Sequence, residues 1–366
     1  MAAEIGAAKR PIVILGLDLD PRSAPSVVRR FAEALGVPVF VTPKVKGLFP
    51  EDHPLFFGVC GGLAADAVIL DLFARADLLI GVGFEPVESD KLWHHTMKLV
   101  SIGPLSIAAL DYRPFLELVG DVRRSLDAIV ATRPGPFEWT GAELAAFREE
   151  MERTLRPSAP PSRGLSAFEV TRALRELYPP ETILATDVGS IKLIVSQAWR
   201  STVPSTFLES NGLSSMGYAL PAAMAAAFLH RDRPVLCTMG DGGYSMVFAD
   251  IETAVRHKLP FVTVVYNDSA LSLIQVAQER RGYPECGVTY GEVDFAAASA
   301  ALGGWARRVH SMGDLETAVR AARQHRGPAV VEVLIDPAEY RAHAGVTRAS
   351  GSERATLTER GRGPRE

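Results

Sequence analysis

The sequence predicts an α/β fold made of two doubly wound parallel-sheet domains in tandem. Three observations carry this expectation. Short apolar runs rich in β-branched residues alternate with segments of helical period, the alternation occurs twice, and a proline-rich stretch separates the two series. With 366 residues, 47% hydrophobic and 22% charged, the chain is long enough to bury two separate cores.

In the first series, Pro11-Ile-Val-Ile-Leu-Gly16 reads as a buried strand ending in Gly, residues 23–35 as an amphipathic helix, and residues 37–41 as a second strand. A helix over 64–74, a strand over 77–83, another over 99–102 and a helix over 122–131 complete it. Strands separated by helices cannot pair as hairpins, so the sheet is parallel and covered on both faces. These residues, 1–132, make the first domain. Residues 133–164 change character, with Pro134, Pro136, a charged helical segment from Glu143 to Arg156 and the run Pro157-Ser-Ala-Pro-Pro-Ser162, and read as the interdomain linker.

The second domain, 165–345, repeats the architecture. Helices are expected over 167–177, 190–199, 219–229, 248–257 and 293–302, and strands over 182–186, 234–239, 261–266 and 329–335. Residues 346–366 are too polar and Gly-rich to bury a core and are expected to form a flexible tail.

Composition excludes several partners. A net charge of -4 with scattered arginines provides no basic field for nucleic acid. No apolar run reaches the roughly 20 residues that span a bilayer, and Met1-Ala-Ala-Glu-Ile lacks the basic and apolar regions of an export signal. Cys60, Cys237 and Cys286 show no CxxC spacing, and two of them sit in apolar or Gly-rich surroundings that suit buried thiols. A cytoplasmic protein without membrane partners is expected.

The chemistry concentrates in Val235-Leu-Cys-Thr-Met-Gly-Asp-Gly-Gly-Tyr244, a strand ending in Gly240-Asp241-Gly242, and in the next strand, which ends in Asn267-Asp268-Ser269-Ala270. Neighbouring parallel strands open their carboxyl ends onto one crevice, so Asp241 and the Asn267-Asp268 pair should face each other there. Two carboxylates suit a hard cation that completes its shell with phosphate oxygens, and glycines let backbone approach those oxygens. Taken singly, each segment reads better as a turn or a helix cap. Their joint position at successive strand ends favours a metal-bridged diphosphate.

From these residues the chain resembles the acetolactate synthase and 2-oxo-acid decarboxylase superfamily of thiamine-diphosphate (ThDP) enzymes, whose signature is GDG followed by N or NN. The resemblance covers almost the whole chain. It implies Mg²⁺ held by Asp241, by the side chain of Asp268 and by the main-chain oxygen of Ala270. Gly212-Leu-Ser-Ser-Met-Gly-Tyr-Ala-Leu-Pro-Ala-Ala223 resembles the segment whose apolar residue, here Met216, wedges between the two rings of ThDP. By the same match the carbonyl of Ser214 accepts from the cofactor's exocyclic amine. Asp187-Val-Gly-Ser-Ile191 resembles the diphosphate loop, so Gly189, Ser190 and Ile191 join Gly240, Gly242 and Gly243 around the phosphates. The chain departs from the family in carrying Asp268 for the usual Asn and Gly243 for a common Ser. A second carboxylate raises ligand charge and bears on metal preference.

Residues 1–132 resemble the family's central domain through Pro38-Val-Phe-Val-Thr-Pro-Lys-Val-Lys-Gly-Leu-Phe-Pro-Glu-Asp-His-Pro54 and Ala76-Asp-Leu-Leu-Ile-Gly-Val-Gly83. Some relatives bind FAD or ADP there. Gly81 and Gly83 supply only part of a nucleotide motif, so neither is expected here.

In the family a Glu from a separate pyrimidine-binding domain assists removal of the cofactor's C2 proton. No segment resembling that domain occurs in this sequence. His53, His94, His95, His230 and His257 read as surface residues and assemble no substitute. Ser272, Gln275 and Gln278 follow Ala270 on a helix where relatives place substrate-facing residues, and a solvated helix face accounts for them equally. The resemblance therefore implies a split enzyme. This subunit would pair with a small pyrimidine-binding subunit, as α₂β₂, to make or break a C–C bond beside the carbonyl of a small 2-oxo acid. A 2-hydroxyacyl lyase and a non-catalytic ThDP- or nucleotide-binding regulatory subunit are the alternatives.

Overall fold

The structure, a computed structural model, describes residues 1–85, 97–108 and 113–343. His94, His95 and the expected tail fall outside these residues. The first half runs α1 (Ala2–Ala7), β1 (Pro11–Leu15), α2 (Ala24–Leu35), β2 (Val39–Val41), β3 (Phe56–Val59), α3 (Asp66–Ala74), β4 (Leu78–Val82), β5 (Leu99–Gly103), β6 (Leu116–Val119) and α4 (Val122–Ala131). Its six strands pair in parallel in the order β3-β2-β1-β4-β5-β6. Every residue of β1, β4 and β5 is buried, as expected of strands covered on both faces.

The order reverses between β1 and β4, the place where such sheets open a crevice. Among the described residues, the loops after β1 and β4 pack on each other there. A Cβ on Gly83 would lie 2.6 Å from Cγ of Leu19, and one on Gly16 would lie 2.5 Å from Cα of Phe84. Leu19 and Phe84 are both buried. The glycines that resemble a partial nucleotide motif thus serve loop-on-loop packing.

The segment between the domains is packed. The N–H of Glu138 donates to the carbonyl of Lys9 at 2.7 Å, and Trp139 Nε1 donates to the carbonyl of Pro11 at 2.8 Å. Helix α5 (Gly141–Leu155) is capped by the Thr140 hydroxyl and buries Leu144, Phe147, Met151 and Leu155, a spacing of three and four that makes one stripe. At the seam, Lys46 and Glu51 of the first domain form a fully buried ion pair at 2.8 Å, and Glu51 reaches across to accept the N–H of Ser201 at 2.9 Å. Burial pushes Lys46 down and Glu51 up from their ordinary pKa values, with mutual attraction opposing. The pair therefore depends on its partners being present.

The second half runs α6 (Ala167–Leu177), β7 (Ile183–Thr186), α7 (Ser190–Ala198), β8 (Phe207–Glu209), α8 (Ala219–Leu229), β9 (Val235–Gly240), α9 (Asp241–Val247), α10 (Asp250–Arg256) and β10 (Val262–Asn267). It continues with α11 (Ser272–Arg280), α12 (Phe295–Ala301), β11 (Trp305–Val309), α13 (Met312–Gln324), β12 (Ala329–Leu334) and α14 (Ala338–His343). The sheet is again parallel, ordered β11-β12-β10-β9-β7-β8, with its reversal between β7 and β9. Thr186 pairs with Thr238 and Gly240 with Tyr266, so the loops after β7, β9 and β10 leave the sheet at nearly one level. The helix expected over 248–257 is α10, and an additional helix, α9, precedes it, beginning at Asp241 directly after β9. Among the described residues no helix is long and apolar enough to cross a membrane.

Candidate functional site

Strand β7 delivers Asp187 to the carboxyl edge, where it is fully buried. Its carboxylate accepts the N–H groups of Gly217 at 3.0 Å and Ala219 at 3.2 Å. Burial pushes its pKa up, and these backbone donors oppose the shift. The bonds tie the end of β7 to the start of α8, which sets the turn that carries Ser214 and Met216. Gly189 then caps the nine-residue helix α7. The amides of its first turn, at Ser190 and Ile191, lack intrahelical acceptors and face the crevice as an anion-binding end.

Strand β9 ends at Gly240 and Asp241 opens α9. Asp241 is 2% exposed; its Oδ1 accepts the N–H of Gly242 and its Oδ2 that of Ser269, both at 2.7 Å. The second of these bonds links the loops of β9 and β10. Asp268 is also buried, with one oxygen accepting the Ser272 hydroxyl and the other the N–H of Ala270 at 3.3 Å. Arg163 donates to the main-chain oxygen of Asp268 at 3.2 Å. Burial and the charge of Asp268 push the Asp241 carboxyl up to about 7, against the donors around it. Burial likewise pushes Asp268 up. Two buried acids, one of them raised further by the charge of the other, suit a site that takes a cation.

The glycines between them are required by contact. A Cβ on Gly242 would lie 2.5 Å from Cδ2 of Leu271 and 3.3 Å from Cε of Met216. One on Gly243 would lie 2.0 Å from Oδ2 of Asp187. The Ser common at this position in relatives therefore does not fit unless Asp187 moves.

A cleft of about 240 Å³ opens among these elements. Gly189, Ser190 and Ile191 line one side, Gly240 to Gly243 the floor, Asp268 and Ala270 the far wall, and Ser214 and Met216 the rim. The eleven residues expected to hold the cofactor or the metal all line this one cleft. Asn267 does not; its side chain turns away to Glu332 at 2.6 Å and the carbonyl of Val293 at 3.2 Å. Ser272 lines the cleft, whereas Gln275 and Gln278 bind Glu285 and the Cys286 backbone instead. Leu271, Ile274 and Tyr340 line it too, and Tyr290 lies against Asp241; none of these four stands in a motif.

The donor set can be tested against a diphosphate-bound divalent ion. Among the described residues no group of three or more His, Cys, Asp or Glu side chains gathers as a self-sufficient metal cage. A pair of carboxylates beside a main-chain oxygen and an anion-binding helix end is what Mg²⁺ takes when phosphate completes its shell. The residues fit.

Comparison with known proteins agrees. The profile described as "Thiamine pyrophosphate enzyme, central domain" matches residues 1–129, and "Thiamine pyrophosphate enzyme, C-terminal TPP binding domain" matches residues 187–333.

The chain belongs to the thiamine pyrophosphate enzyme family.

Among its relatives, "Acetolactate synthase isozyme 1 large subunit" of Escherichia coli (strain K12) is 30% identical over 360 residues, which cover 92% of this chain and 60% of that protein. "Acetolactate synthase" of Bacillus subtilis (strain 168) is 28% identical over 345 residues, 91% of this chain and 60% of the relative. "Pyruvate oxidase" of Lactiplantibacillus plantarum is 25% identical over 339 residues, 90% of this chain and 55% of the relative. The chain thus spans about 60% or less of the length of these family members.

Proposed function

We propose that the chain carries the diphosphate and Mg²⁺ half of a ThDP enzyme that makes or breaks a C–C bond beside a carbonyl, with a small 2-oxo acid as substrate, as in acetolactate synthase. The observation that carries the reading is the pair of buried carboxylates, Asp241 and Asp268, facing a cleft whose other walls are an α-helix N-terminus and Met216. In it, Asp241, Asp268 and the main-chain oxygen of Ala270 hold the ion. The amides of Gly189 to Ile191 and the backbone of Gly240 to Gly243 receive the diphosphate, and Met216 and the Ser214 carbonyl orient the rings. When bound, the cofactor supplies a carbon nucleophile and an electron sink for decarboxylation or carboligation.

Among the described residues Asp241 and Asp268 are the carboxylates that line the cleft, and in this reading the proton-moving Glu belongs to a pyrimidine-binding domain. We place it on a separate small subunit. A covering partner is consistent with the exposure of Leu213, at 96%, next to the cleft-lining Ser214, and of the cleft-lining Ile274. In this reading residues 1–132 are a structural domain without FAD or ADP, 133–164 connect it to the ThDP domain at 165–345, and the complex is a cytoplasmic hetero-oligomer.

Calorimetric titration of ThDP with Mg²⁺, into the chain alone and with a candidate pyrimidine-domain partner, tests the proposal. Binding that needs Mg²⁺ and is lost in Asp241→Ala supports it, and a requirement for the partner supports the split arrangement. No ThDP binding in either mixture refutes it.

A further inference from the structure

Residues 283–290 return across the loop that carries Asp268 and Ala270. The N–H of Leu271 donates to the carbonyl of Val288 at 2.7 Å, that of Tyr290 donates to the carbonyl of Ser269 at 3.2 Å, and Ala270 and Thr289 form an antiparallel bridge. The strap is itself tied down. Gln278 exchanges hydrogen bonds with the Cys286 backbone, and Gln275 and Thr289 both bind Glu285. Its last residue, Tyr290, places its hydroxyl against Asp241, 3.5 Å from where a Cβ on Gly242 would be. That hydroxyl is buried and makes no well-formed hydrogen bond.

A buried hydroxyl without an acceptor is costly, and Phe would pack the same volume without that cost. The phenol oxygen therefore has a use that packing does not explain. An ionised carboxylate has about four acceptor positions. Asp241 spends two on the N–H groups of Gly242 and Ser269, which leaves two, enough for a cation and one further donor. Tyr290 is a neutral donor within reach of that carboxylate. Being uncharged, it can fix the carboxylate without repelling a cation as Lys or Arg would.

We propose that Tyr290 is a positioning residue of the metal centre, its hydroxyl donating to Asp241 from the strap side once a divalent cation holds that carboxylate. The inference rests on the proposed Mg²⁺–ThDP site and extends it to a segment that carries no motif. It also gives the strap a role: pairing with Ser269 to Leu271 holds the second carboxylate loop and the donor to the first carboxylate in one rigid unit.

The test is a calorimetric Mg²⁺ titration of the full chain at saturating ThDP, with the pyrimidine-binding partner present if ThDP binding requires it. Wild type, Tyr290→Phe and Tyr290→Leu are compared. Loss of an outer partner of a metal ligand weakens metal binding by about 10- to 100-fold. Tyr290→Phe is expected to raise the Mg²⁺ concentration for half-saturation by at least about tenfold, leaving the thermal midpoint of the metal-free protein unchanged or higher and ThDP affinity at saturating Mg²⁺ unchanged. Tyr290→Leu is expected to lower that midpoint as well. A Tyr290→Phe variant with wild-type Mg²⁺ dependence overturns the inference while leaving the cofactor site standing. Absence of ThDP binding in wild type overturns both.

Discussion

The two sheets share an architecture and differ at the crevice. In the first, the loops after β1 and β4 close on each other: Leu19 packs under Gly83, Phe84 lies over Gly16, and both side chains are buried. In the second, polar bonds tie the loop ends to one another, Asp187 to the Met216 turn and Asp241 to Ser269, around a cleft of about 240 Å³. A reversal of strand order creates an opportunity for a ligand. Among the described residues, the loops bury apolar side chains at the first reversal and carboxylates at the second.

That contrast can be broken most severely at Leu19. Leu19→Ala should cost about 2–5 kcal/mol by leaving a void under Gly83, without altering Mg²⁺-dependent ThDP binding. Denaturant unfolding paired with calorimetry checks both halves; a change in ThDP affinity would mean that the first crevice is not merely packed. Next in size is Gly243→Ser, whose Cβ must displace the Asp187 carboxylate. It should destabilise by about 1–3 kcal/mol, as overpacking does, and weaken ThDP binding because the Met216 turn loses its anchor. Wild-type behaviour would show that Asp187 is free to move.

The pH dependence sharpens the same point. Asp241 has a folded pKa near 7, above its ordinary value of 3.8, so the fold favours its protonated form. The associated stability is fully present below about pH 4 and is lost as pH rises through about 7. Metal-free protein should therefore melt lower at pH 8 than at pH 5 from this group, and Mg²⁺ with ThDP should raise the melting temperature more at pH 8. Thermal scans with and without Mg²⁺ check it, and a stabilisation larger at pH 5 would contradict the assignment of Asp241 as a ligand. The smallest effect is expected from Asp268→Asn, which restores the family's usual residue. Mg²⁺ affinity should change by a few-fold and the ranking among Mg²⁺, Mn²⁺ and Ca²⁺ should shift, measured by competition titration.

The sequence shows the interior of both sheets and not their edges. Strands β1, β4, β9 and β10 are apolar runs because both their faces are covered. The four strands it does not show, β3, β6, β8 and β11, are the four outermost ones. Each is short or partly exposed: β8 has three residues, β6 has no buried residue, and β11 carries Arg307 and Arg308. Helix α13 is also missed, although Ser311 with Asp314 forms a cap that was there to be read. In the site, residues next to a Gly-rich strand end are legible because contact restricts them to Gly or Asp. Tyr290 is not, since it lies 49 positions from Asp241 and reaches it through the pairing of the strap with Ser269 to Leu271, which no local pattern encodes.

The most direct test is an anomalous difference map from crystals of the protein, with its partner if needed, grown with Mn²⁺ and ThDP. The account predicts one strong peak within coordination distance of Asp241, Asp268 and the Ala270 carbonyl, with the diphosphate against Gly189 to Ile191. ThDP bound with the metal elsewhere, or a peak that leaves Asp241 uncoordinated, would contradict it.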